Sequence, residues 1–120
     1  MFFPKDLAAQ YLRKHGYNII DRGAMPFRYG ITTIDFVAYE KSKDTLVAVR
    51  LYAMDDTYDN VMSEWRHKDS PYFRRAIRRY GEKSGWRGNT RADLIWVRDN
   101  NEILHVIGEV KGGKKNEQVK

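Results

Sequence analysis

"ITTIDFVAYEKSKDTLVAVRLY", residues 31–52, decides how the rest of the chain is read. Two β-prone runs, about Thr32 to Tyr39 and Thr45 to Ala53, flank the charged turn "EKSKD" and predict an antiparallel hairpin. In the second run Val47, Val49 and Leu51 fall on one face, and Leu46, Ala48, Arg50 and Tyr52 on the other. Both faces are largely apolar, the mark of a strand inside a sheet rather than at its edge. Asp35 stands out as a carboxylate in an otherwise uncharged first strand.

Working outward, "PKDLAAQYLRKHGY" puts Leu7, Ala8, Tyr11 and Leu12 on one helical face, and Gly16 follows as a C-cap, so a helix should end near His15. A short strand, Tyr17 to Asp21, and a Gly- and Pro-punctuated loop, "RGAMPFRYG", lead into the hairpin. Beyond it, "MDDTYDNVMSEWRHKDS" has no clean period and is read as a loop or short helix. Pro71 then opens the clearest helix, with Phe73, Ala76, Ile77 and Tyr80 at i, i+3, i+4, i+7 spacing. "RADLIWV" and "EILHVI" form a last strand pair across "RDNN". The segments 31–53 and 91–113 share a strand, Asp, turn, strand form, which is read as two hairpins of one sheet. This alternation predicts an α/β domain with a mixed central sheet flanked by helices on both sides. A single domain is expected over residues 1–112, with 113–120 as a flexible polar tail.

Composition narrows the function classes. The 120 residues contain no Cys, which excludes a disulfide scaffold and thiolate ligands, and His15, His67 and His105 lack ligand spacing. No metal site is expected from them. The apolar runs fall far short of a membrane span, and "MFFPKDLAAQ" lacks the core of a signal peptide, so the chain is expected in the cytoplasm without a membrane partner. Twenty-two Lys and Arg against 16 acidic residues give a net charge of +6, which favours polyanions, nucleic acid first. Arg74, Arg75, Arg78 and Arg79 make a broad positive face opposite the apolar stripe of their helix, able to track phosphates. Arg87 and Arg91, near Trp86, extend that patch in sequence. Trp65, Trp86 and Trp96 are expected mostly in the core or under a lid.

A metal-dependent nuclease needs carboxylates to hold Mg²⁺ against the scissile phosphate and a cation to help activate water. An Asp on one strand and E-x-K on its neighbour supply both, because i, i+2 spacing puts Glu and Lys on one strand face. Around that hairpin the chain resembles the YraN family of small bacterial endonuclease-like proteins. The resemblance rests on "LAAQYLRKHGYNIIDR", "IDFVA", "LVAVRLY", "YFRRAIRRY" and "RADLIWV", in order from about Lys5 to Val106. It implies a restriction-endonuclease-like fold of the PD-(D/E)xK superfamily. The departures fall on the site. Where the family pattern is G-E-I-D this chain has Thr32, Thr33, Ile34 and Asp35, and where it is V-E-V-K it has Val49, Arg50, Leu51 and Tyr52. Lys5 stands at the acidic position of the first helix.

Asp35, Arg50 and Tyr52 are therefore read as vestigial positions with no intact catalytic set. Arg in place of a metal-binding carboxylate turns attraction into repulsion worth roughly 4 kcal/mol per unit-charge pair at ~4 Å. Tyr52 can donate a hydrogen bond but carries no positive charge near neutral pH. Arg50 is expected to pair with Asp35, a built-in cation where the metal would sit.

The expected function is a catalytically inactive nuclease homologue that binds nucleic acid without base readout, DNA before RNA, through Arg50, Arg74, Arg75, Arg78, Arg79 and Arg87. No cofactor is expected. Two alternatives stay open. One is an active Mg²⁺-dependent endonuclease using a literal D…E-x-K, Asp93, Glu109 and Lys111, although Glu109 lies between glycines at the start of the polar tail. The other is a protein-interaction scaffold. A homodimer is compatible with either.

Overall fold

The computed structural model describes residues 3–24 and 34–110. Helix α1 (Pro4–Lys14) precedes strands β1 (Tyr17–Ala24), β2 (Ile34–Glu40) and β3 (Thr45–Tyr52), followed by helices α2 (Tyr58–Glu64) and α3 (Ser70–Lys83) and strands β4 (Asn89–Val97) and β5 (Ile103–Val106). The protein is an α/β domain built on one five-stranded mixed sheet in the order β1-β2-β3-β4-β5. Every neighbouring pair is antiparallel except β3 and β4, which are parallel. A parallel pair needs a long crossover, and the helical stretch 58–83 provides it. No helix among the described residues is long and apolar enough to cross a membrane.

Each face of the sheet is covered. Ala8, Ala9 and Leu12 of α1 pack with Phe36, Ala38, Val47, Val49, Ile95 and Val97. On the opposite face Phe73, Ala76 and Ile77 of α3, with Val61, Met62 and Trp65, cover Leu46, Ala48, Leu94 and Trp96. β3 therefore alternates between two cores, which is why both of its faces are apolar. β2 behaves differently at its start. Ile34 and Phe36, two residues apart, enter opposite cores, and the β2–β3 ladder begins only at Phe36 and Val49. The strand turns over at Asp35, leaving a gap in the sheet beside the end of β3.

Several boundaries differ from the sequence reading. β1 runs on to Ala24, and its register shifts between Ile19 and Asp21, so Ile20 is a bulged, half-exposed residue on an edge strand. The stretch without a clean period holds α2, capped by the Thr57 hydroxyl accepting the Asn60 N–H, and a π-helical turn, Trp65–Asp69, that runs straight into α3. The π-turn adds a residue per turn and so breaks the i, i+4 rhythm that periodicity detects. The loop around Met25 to Gly30, the positions Thr32 and Thr33, and the tail from Lys111 lie outside the described residues.

Candidate functional site

The three hairpin positions lie together at the end of β3 but do not make the expected pair. Asp35 Oδ2 accepts the Leu51 backbone N–H at 2.7 Å, filling the place of a missing ladder bond. Burial pushes the Asp35 carboxyl above the usual carboxylate range, against the lowering pull of that N–H and of the Arg50 and Lys5 charges. Lys5 of α1 and Arg50 of β3 thus both act on Asp35 through space. The ion pair of Arg50 is with Asp69 instead, Nε to Oδ2 at 3.5 Å. Arg50 shares a strand face with Leu46 and Ala48, the α3 side, and so reaches the π-turn that carries Asp69. Its Nε is buried and has no hydrogen-bond acceptor, since the Asp69 contact does not align as one. Tyr52 donates its hydroxyl to Asp56 at 3.0 Å, and that hydrogen bond, first among several causes, raises its pKa further from any cationic role. Among the described residues no group of three or more His, Asp or Glu is gathered so as to ligate a metal.

The arginines of α3 frame two adjoining grooves. One, of about 270 Å³, is lined by Pro71, Arg74, Arg75, Arg78 and Thr90. The next, also about 270 Å³, is lined by Arg75, Arg78, Arg79 and Glu82. Arg75 and Arg78 belong to both and are exposed, as is Arg87. Arg74 is half-buried and donates to Ser70 Oγ at 3.2 Å. Trp65 and Trp96 are buried, and Trp86 is held by its indole N–H on Asn89 O with Tyr39 against its ring, so none of the three is a base-stacking platform.

Arg91 is not part of that surface. It is 1% exposed, and its guanidinium donates to Asp93 from Nε (2.8 Å) and Nη2 (2.9 Å), to Glu40 from Nη1 (2.6 Å) and to the Tyr17 hydroxyl from Nη2 (2.8 Å). Asp93 is fully buried. Besides Arg91, it meets His105 Nε2 at 2.8 Å and accepts the Gly108 N–H at 3.1 Å, while His105 Nδ1 lies 2.9 Å from the Tyr11 hydroxyl of α1. Burial pushes the Asp93 carboxyl upward, but the hydrogen bonds and charges of His105 and Arg91 outweigh it and hold it below its ordinary value. The Tyr17 phenol is pushed up to about 12, chiefly by burial and then by the Asp93 charge.

Both Asp93 oxygens are thus taken by protein donors. Glu109 is exposed, and Lys111 lies outside the described residues. The pairing of Arg50 with Asp69 and the network of Tyr11, Tyr17, Glu40 and His105 around Arg91 and Asp93 were missed by sequence reasoning. Only Arg91 and Asp93 left a signal, as opposite charges two apart in a strand. With this geometry in view, the class of protein is a small α/β domain with a basic helix face and a gap at the end of a central strand. No protein-family model matches the chain, and no curated protein matches it.

Proposed function

We propose that this is a nuclease-like domain without working metal chemistry, similar to the YraN family and of restriction-endonuclease-like fold, that binds nucleic acid through phosphate contacts. DNA is the expected partner, and the cytoplasm the expected compartment. The observation that carries the reading is the pair of adjoining arginine-lined grooves on α3. They offer planar donors to phosphate oxygens, with no nearby stacking platform to read bases. The mixed sheet with helices on both faces supports the fold assignment. Loss of metal chemistry is supported by Arg50 and Tyr52 at the E-x-K positions and by the engagement of Asp35 with Leu51. The occupied oxygens of Asp93 weigh against the alternative set of Asp93, Glu109 and Lys111.

Fluorescence anisotropy of labelled single- and double-stranded DNA tests this over a series from about 50 to about 200 mM salt. Log affinity should fall linearly with log salt, and Arg75→Gln or Arg78→Gln should each reduce the slope by about 1. No cleavage is expected with Mg²⁺ or Mn²⁺. A flat salt response would overturn the reading and favour the protein-scaffold alternative.

A further inference from the structure

We propose that Arg50 is a phosphate-binding residue, taking one oxygen of a nucleic-acid strand at the gap beside the end of β3, with Asp69 occupying that place until the strand arrives. This rests on the nucleic-acid reading above and adds a second contact region to it. Among the described residues the Nε of Arg50 is the buried side-chain nitrogen or oxygen atom left without a hydrogen-bond partner. A buried donor with no acceptor is costly and calls for an explanation. Asp69 supplies charge but not a hydrogen bond, at 3.5 Å, and both side chains keep a path to solvent, Arg50 at 28% exposure and Asp69 at 21%. A phosphate oxygen has the same charge sign as Asp69 and can approach along the Nε–H direction that Asp69 misses. The donor next to it, Leu51 N–H, is taken by Asp35, so the free direction belongs to Arg50. Lys5 adds a second positive charge near Asp35.

Position links this point to the α3 grooves. Asp69 immediately precedes Ser70, whose Oγ accepts from Arg74, and Arg74 lines the first groove. A strand lying along Arg78, Arg75 and Arg74 is thereby directed past Ser70 and Asp69 to Arg50.

The test is an NMR titration of the full chain in which the Arg50 Nε–H resonance is identified by its loss in Arg50→Lys, a change that keeps the charge and the fold. Inorganic phosphate is added in one series and single-stranded or duplex oligonucleotide in another. The proposal expects a saturable shift of that resonance in both series. It also expects roughly tenfold weaker oligonucleotide affinity in Arg50→Lys, since a charge-assisted hydrogen bond is lost. Asp69→Asn should tighten oligonucleotide binding in the wild-type background and leave it unchanged in Arg50→Lys. If oligonucleotide binds through Arg75 and Arg78 while the Arg50 resonance stays still, this proposal is overturned and the broader function stands. If phosphate moves the resonance but no oligonucleotide binds, both are overturned and the site is an adventitious anion site.

Discussion

Arg91 and Asp93 stand two residues apart on β4, so their side chains leave the same face of the strand. That spacing is visible in the sequence, but the burial of the pair is not, because Glu40, Tyr17 and His105 arrive from three other strands. Buried ion pairs add little net stability over apolar replacements, yet removing one member strands the other. Asp93→Asn should therefore cost about 3–5 kcal/mol at neutral pH, as measured by urea unfolding. Its pH dependence follows from the sign of the shift. The folded Asp93 pKa lies below its ordinary value of 3.8, so its stabilisation is complete above that pH and is lost as pH falls through the lowered folded value. The gap between wild type and Asp93→Asn should narrow in strong acid. A gap that stayed constant to the lowest pH would place the cost in packing rather than charge.

At the scale of elements, β5 and the residues after it close over β4. Gly108 donates its N–H to Asp93, and a Cβ at that position would run into the Ala92 carbonyl oxygen. The close approach needs glycine. Gly108→Ala should cost about 1–3 kcal/mol, because the clash is with backbone and relief requires moving the chain away from Asp93. A denaturation midpoint equal to wild type would show that the segment after β5 shifts freely. The helices teach a second lesson. α1 and α3 were legible from their apolar periods and their early prolines, and β2 and β3 from alternation around a charged turn. α2 was not, because its 7 residues run into a π-turn and no single period spans the segment. That same turn delivers Asp69 to Arg50, so the part of the site hidden from periodicity is the part that reassigns the arginine.

At the scale of the whole molecule, the network of Tyr11, Tyr17, Glu40, Arg91, Asp93 and His105 joins α1 to four strands on one side of the sheet. Its alkaline limit is set by Tyr17. The folded phenol pKa, about 12, exceeds the ordinary 10.0, so the stabilisation is complete below pH 10.0 and is lost as pH rises towards 12. Tyr17→Phe should be less stable than wild type at neutral pH, since Arg91 loses an acceptor, and this difference should shrink across that alkaline window. Thermal melts at matched pH would check it, and a parallel pair of profiles would refute it. The sequence by itself determined the α/β class, the hairpin, the two long helices and the basic stripe of α3, because each follows from local spacing and charge. Tertiary structure alone decided which charges meet. It buried Arg91, removed it from the surface patch, and filled the coordination positions of Asp93 with protein donors. It also gave Asp35 to a backbone N–H and Arg50 to Asp69. Partner choice depends on how strands and helices cross in space, and the distances between residues 35, 50 and 69 are set by the sheet gap and the π-turn rather than by any periodicity along the chain.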